Sequence, residues 1–322
     1  MPLISHSDYR PPALLGNGHL QTIYPSLFRK VPGIRYCRER IPTPDGDFID
    51  LDHSPVGSGR AVIISHGLEG HTDRSYVKGM VRAFNRCGWD AVAWNFRGCS
   101  GQPNRLLRSY HSGATDDLHT VVCHLLDTRK YDALALIGFS VGGNITLKYA
   151  GEKGRNLSPR IRCAATVSVP CDLKACARKL AETGNTLYMK RFLLDFREKI
   201  REKMAIMPGR IDDRGFEAIR TFTAFDNRYT APLNGFADAS EYYAQCSSGP
   251  FIPDIARPTL LISARNDPFL TPACFPVAEA ANNPYFFLEI PASGGHVGFI
   301  RFNSPGEYWH ETRIVSFVTA HV

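Results

Sequence analysis

The sequence predicts an α/β protein with a mostly parallel sheet flanked by helices and broken by a helical insertion. Three observations carry this. Short, wholly apolar segments such as Ala61-Val62-Ile63-Ile64 recur along the chain, and continuous apolarity marks strands buried on both faces. Amphipathic helical stretches alternate with them, as βαβ units require. The alternation stops near Pro170 and resumes after residue 240, leaving about 70 residues of helical spacing without a convincing strand.

In chain order, residues 10–35 are rich in Pro and Gly and read as an irregular arm laid on a core. Residues 38–41 and 48–53 flank the turn Thr43-Pro44-Asp45-Gly46 and form a hairpin. A strand at 61–65 ends in His66-Gly67. Helix, strand, helix, strand, helix, strand then follow at 76–86, 89–95, 114–127, 133–139, 142–152 and 163–169. In the insertion, Leu187, Met189, Phe192, Leu193, Phe196, Ile200 and Met204 recur at helical spacing, with Lys190, Arg191, Arg197, Lys199, Arg201 and Lys203 between them. Strands return at 258–263 and 285–290, and a last helix spans about 306–319. Residues 1–170 and 241–322 are therefore expected to build the core, and 171–240 a helical cap or lid.

The 322 residues include 38 Lys+Arg and 31 Asp+Glu, a formal charge of +7. The excess is uneven: +7 over residues 1–170, +5 over 171–210 and −5 over 211–322. Acidic residues interrupt even the densest basic stretch, Arg197-Glu198-Lys199-Ile200-Arg201-Glu202-Lys203, which argues against nucleic acid as a partner. The first ten residues lack a basic n-region and an apolar h-region, and no run of about 18 apolar residues occurs, so neither a signal peptide nor a stable membrane anchor is expected. Nine cysteines without a C-x-x-C pair suit reduced thiols in the cytoplasm, and no metal-ligand spacing appears. Neither a cofactor nor a metal is expected, and the sequence does not specify an oligomeric state.

The sharpest motif is Gly138-Phe139-Ser140-Val141-Gly142-Gly143, between an apolar strand and a helix. It matches G-x-S-x-G in the context that motif demands: a serine pushed out on a tight strand-to-helix turn, with glycines where side chains would clash. A serine hydroxyl is a weak nucleophile and needs a base, which needs an orienting carboxylate, in the chain order Ser, acid, His. Only His296, His310 and His321 lie downstream. His296 sits on the glycine-rich loop after the last strand, whereas the others fall on or beyond the final helix. Asp267 directly follows the strand at 258–263, while Asp254 and Asp238 lie at the wrong edge. The expected oxyanion donors are the backbone N–H groups of Val141 and of Leu68, in His66-Gly67-Leu68-Glu69-Gly70. His66 itself reads as a structural residue beneath the site, and the segments 95–101 and 110–113 as buried polar braces or pocket walls.

The segments His19-Leu20-Gln21-Thr22, His66-Gly67-Leu68-Glu69-Gly70, Asn95-Phe96-Arg97-Gly98-Cys99-Ser100-Gly101, Tyr110-His111-Ser112-Gly113, the elbow, Phe225-Asp226 with Thr230-Ala231-Pro232, and Gly294-Gly295-His296-Val297-Gly298-Phe299 together make the chain resemble the YheT-like esterases of the α/β-hydrolase superfamily, the AB hydrolase 4 family. The resemblance implies an α/β-hydrolase fold, a triad at Ser140, Asp267 and His296, and hydrolysis of carboxylic esters, which in some eukaryotic members are lipid esters. Asn17-Gly18 departs from the usual Asn-Pro, and Asn227 and Asn266 stand where an acid is common. Asn266 adjoins the expected acid and is expected to alter its electrostatics.

The expectation is thus a cofactor-independent serine esterase acting through an acyl-enzyme on a small-molecule ester. Acyl transfer on the same triad, and a non-catalytic binding protein, are the alternatives. The basic amphipathic stretch at 187–204 is read as a lid with an apolar face over the pocket and a solvated basic face, in preference to a helix lying on anionic lipid.

Overall fold

The computed structural model describes residues 3–129 and 131–322. Its strands are β1 (Leu3–Ile4), β2 (Cys37–Pro42), β3 (Phe48–Ser54), β4 (Arg60–Ser65), β5 (Asp90–Asn95), β6 (Ala133–Phe139), β7 (Ile161–Val167), β8 (Thr259–Ile262) and β9 (Phe286–Glu289). They form one sheet in the order β1-β9-β8-β7-β6-β4-β5-β3-β2. Among the described residues β3 alone runs in the direction opposite to the other strands, as the outer hairpin requires. The remaining pairs are parallel, and their registers align the strand ends: Ser65 faces Gly138, Phe139 faces Val167, Val167 faces Ile262, and Ile262 faces Glu289. The loops leaving β4, β6, β7, β8 and β9 therefore emerge along one edge, where ligands bind in open α/β sheets.

Helices cover both faces. Helix α1 (Gly18–Phe28) lies within the N-terminal arm. Helix α2 (Ser75–Arg86) gives Val77, Met80, Val81 and Phe84 to the core on one face of the sheet. Helices α3 (Thr115–Thr128) and α4 (Val141–Lys153) cover the other, with Leu118, Val121, Val122, Ile145 and Tyr149. The central strands are buried from both sides, with Ala61, Val62, Ile63 and Ile64 each 0% exposed, which explains their continuous apolarity. Between β7 and β8 the chain forms α5 (Leu173–Leu180), α6 (Thr186–Ile206), α7 (Phe222–Phe225), a π-turn over Asp226–Thr230, α8 (Ala231–Leu233) and α9 (Ala239–Cys246). Met189, Leu193, Phe216, Phe225 and Tyr229 give this region an apolar cluster of its own, joined by Phe269. Helix α10 (Val277–Asn282) precedes β9, and α11 (Trp309–Thr319) closes the chain against α2.

The arm differs from its sequence reading. Although Pro25 lies inside it, α1 forms because the Asn17 side chain accepts hydrogen bonds from the N–H groups of His19 and Leu20 and so caps the first turn. The short β1 and α10 were also not expected. Two residues of strand and six of helix are too short to show a period.

One buried charge network ties the hairpin to the rest. The Arg97 guanidinium, after β5, donates to Asp117 on α3 at 2.7 Å, to Asp45 at 2.9 Å and to Asp47 at 3.3 Å. Arg97, Asp47 and Asp117 are almost wholly buried. Removing one partner from such a network leaves uncompensated charge in the interior. Arg97→Met is therefore expected to lower unfolding stability by about 3 kcal/mol in urea titrations; a loss under about 1 kcal/mol would show that the network is not structurally important.

Candidate active site

Ser140 occupies the turn between β6 and α4 with φ 52° and ψ −120°, a conformation that costs a non-glycine residue about 1–3 kcal/mol. Its N–H donates to the Val167 carbonyl at 2.9 Å and its carbonyl accepts from Asn144 at 2.9 Å, which holds the turn. The glycines around it are dictated by packing. A Cβ on Gly138 would lie 2.5 Å from the Gly142 oxygen, and one on Gly142 2.3 Å from the His66 oxygen.

The loops after β8 and β9 bring Asp267 and His296 to this serine. His296 Nε2 lies 2.9 Å from Ser140 Oγ, and Nδ1 lies 2.8 Å from Asp267 Oδ2. Asp267 Oδ1 accepts from the N–H of Phe269, so both carboxylate oxygens are engaged. The Phe269 ring packs on the imidazole at 4.4 Å between centroids.

The loop after β4 lies against Ser140: a Cβ on Gly67 would sit 3.2 Å from Ser140 Cβ. Three of the five N–H groups of His66–Gly70 are committed. Gly67 donates to Tyr76 Oη at 2.9 Å, Glu69 to Tyr110 Oη at 3.0 Å, and Gly70 to the Gly67 carbonyl at 3.0 Å. The N–H groups of Leu68 and Val141 meet no protein acceptor among the described residues. Both are named by the sequence, and the His66 N–H is likewise without an acceptor among the described residues.

His66 is a brace. Fully buried, it contacts the Gly67 carbonyl at 2.8 Å through Nδ1 and accepts the Phe96 N–H at Nε2, which assigns the proton to Nδ1. Burial drives its pKa down to about 3, so it stays neutral. Within 95–101 and 110–113, Arg97 and Tyr110 are braces as well, while Ser112 lines the cavity described below.

Several positioning residues escaped the sequence reading. The His296 N–H donates to Thr22 Oγ1 of α1 at 2.9 Å, the Gly295 N–H to Asn266 Oδ1 at 3.1 Å, and the Val297 N–H to Ser168 Oγ at 3.0 Å. The Asn266 side chain also donates to the Gly16 carbonyl and to Ser293. Its contribution is therefore to hold the histidine loop, and an aspartate there would lack the amide donor. Thr22 had a signal in the sequence through the His19–Thr22 segment and Asn266 through its place beside the expected acid, whereas Ser168 had none.

Ser140 and His296 open into a cavity of about 920 Å³. Its walls come from the insertion and the loops around it, including Leu173, Leu180, Phe192, Phe222, Tyr242 and Phe269. Asp226, in the π-turn, also lines it and accepts a 2.6 Å hydrogen bond from Tyr243 Oη. No group of His, Cys, Asp and Glu suited to holding a metal ion occurs among the described residues, and no helix among them is long and apolar enough to cross a membrane.

A serine on a strand-to-helix elbow at the carboxyl edge of a mostly parallel sheet defines the α/β-hydrolase class. The chain belongs to that family: residues 60–301 match the alpha/beta hydrolase fold family. It is 34% identical to the Escherichia coli (strain K12) protein YheT, designated a candidate esterase, over 99% of this chain and 95% of that one. It is 28% identical to a monoacylglycerol lipase of Saccharomyces cerevisiae over 95% of this chain and 79% of that protein, and 26% identical to the human phospholipase ABHD3 over 100% and 80%. Among solved structures the Pyrococcus furiosus esterase Pf2001 is similar, with a TM-score of 0.60 at 17% identity over 89% of this chain and 93% of that one, a likeness of fold.

Burial raises the Asp226 carboxyl from its ordinary value to about 6. The unfolded chain ionises this group at the ordinary carboxylate pKa, so the folded state carries no cost below that pH, a growing cost up to about 6, and the full cost above it. Asp226→Asn is expected to raise Tm near pH 8, by the equivalent of at most about 3 kcal/mol, and to leave it unchanged near pH 4. Thermal melts at the two pH values test this; an equal offset at both would contradict it.

Proposed function

We propose that the protein is a serine esterase that hydrolyses a small carboxylic ester through an acyl-enzyme, without a metal or cofactor. The observation that carries this reading is the continuous chain of contacts Asp267–His296–Ser140, with spacings of 2.8 and 2.9 Å, at the wall of a largely apolar cavity. His296 takes the Ser140 proton as Oγ attacks the ester carbonyl, and Asp267 holds the tautomer with the proton on Nδ1 and stabilises the imidazolium. The tetrahedral oxyanion is received by the N–H groups of Leu68 and Val141, with the positive end of α4 behind the latter. His296 returns the proton to the leaving alcohol and then activates water to release the acid. Residues 171–240 act as a cap whose apolar side chains surround the substrate. The esterase and lipase names of the relatives support the ester linkage as the bond attacked.

Ser140→Ala is expected to abolish turnover of a short-chain p-nitrophenyl ester and labelling by a fluorophosphonate probe while leaving Tm intact. Asp267→Asn is expected to lower kcat by about 10⁴-fold, the loss found when a triad carboxylate becomes an amide elsewhere. Wild-type turnover in a folded Ser140→Ala variant would refute the proposal.

A further inference from the structure

Helix α1 is packed with its apolar side outwards. Its buried residues are Gly18, Gln21 and Pro25, whereas Leu20, Ile23, Leu27 and Phe28 are 47%, 38%, 67% and 65% exposed. The first half of α6 does the same beside it, with Leu187 79% and Leu194 61% exposed. The two helices meet where His19 Nδ1 lies 3.2 Å from Tyr188 Oη. Burying Gln21 while Leu27 and Phe28 face water is unfavourable in water alone.

This surface borders the cavity. Ile23, Leu27 and Lys30 from the α1 side and Arg191 from α6 line the cavity wall, and each is exposed. The charges of the rim are cationic on balance. Asp195 is matched by Arg191 at 3.1 Å and Asp73 by Lys78 at 2.6 Å, while exposed Lys30 and Lys190 add charge beyond these pairs. An apolar face bordered by cations is the composition that suits the boundary between lipid headgroups and acyl chains.

We infer that the outer faces of α1 and the first half of α6 form a docking surface for an anionic lipid bilayer, placing the cavity mouth against the membrane. The inference rests on the proposed esterase activity only for its consequence, that the ester enters from lipid; docking itself needs no turnover. The occupant is a lipid surface because the cavity mouth and the cations lie within the same patch, which the self-complementary face of a second copy would not require.

The experiment is sedimentation with sucrose-loaded vesicles of phosphatidylcholine with or without phosphatidylglycerol, at low salt. Wild type and Ser140→Ala are both expected to pellet with the anionic vesicles, with binding weaker by about tenfold on pure phosphatidylcholine. The double variant Leu20→Asp/Phe28→Asp should lose vesicle binding by about tenfold or more and keep its turnover of a soluble p-nitrophenyl ester. Lys30→Glu/Lys190→Glu should weaken binding to anionic vesicles selectively. Wild type staying in the supernatant, or the Leu20/Phe28 variant pelleting equally well, would overturn the inference. So would a dimer in gel filtration that the same variant dissociates, because a second copy would then cover the face. Vesicle binding without ester turnover would instead leave docking intact and refute the esterase reading.

Discussion

The geometry of the site depends on the backbone of a single residue. At φ 52° Ser140 is in a region that favours glycine, and the surrounding fold must over-determine the turn to keep it there. It does so from three sides. β7 accepts the Ser140 N–H, the first turn of α4 donates to its carbonyl, and Gly138 and Gly142 let β6 and the loop after β4 approach to distances that exclude a Cβ. The result is a hydroxyl raised above the ends of β4, β6 and β7, level with the loops that bring His296 and Asp267. A relaxed serine within a helix or strand would lie flat against the sheet, out of reach of that imidazole.

The same logic of commitment identifies which backbone donors are free. A loop of five residues has few N–H groups, and a buried one without a partner costs about 1–3 kcal/mol. Around Gly67 those groups are assigned to Tyr76, Tyr110 and the loop itself, and neutral His66 locks the Gly67 carbonyl and the Phe96 amide from beneath. The N–H groups of His66 and Leu68, on either side of the glycine that lies against Ser140, are left without a protein acceptor among the described residues. In the proposed mechanism the Leu68 N–H is the donor that would pair with the oxyanion as it forms.

The sheet was legible because strands buried on both faces have to be apolar throughout, and the elbow because its chemistry is confined to a few consecutive residues. Ser140, Asp267 and His296 were each identifiable from the element preceding them, since the loop after a parallel strand has one edge to emerge from. The supporting contacts were not. Thr22 and His296 are bonded across 274 residues of sequence, and nothing in the pattern around either residue encodes the other. Helix α1 was hidden for a different reason: its buried side is Gly18, Gln21 and Pro25, so the usual link between apolar period and packing is reversed. Asn266 was read for its missing charge, whereas its role comes from an amide that accepts from one loop and donates to another.

The basic character of α6 changes meaning once its contacts are known. The charged side was expected to face water, yet Lys203 is buried with its ammonium on the Asn104 side chain and carbonyl, and the Lys199 ammonium lies 3.1 Å from Glu69 and 2.9 Å from Cys99. Burial lowers the Lys203 pKa to about 8, a cost that a solvated lysine would not bear. These two cations therefore act as ties between the insertion and the core. Glu69 adjoins Leu68, and its side chain is shared between Lys199 and Tyr110, so α6 and the free donor at Leu68 are coupled through one carboxylate. Displacing α6 would unpair Glu69 in a mostly buried setting, and the loop would have to adjust. Helix α6 thus both contributes Arg191, Phe192 and Phe196 to the cavity wall and, through Lys199, holds the Glu69 carboxylate beside Leu68.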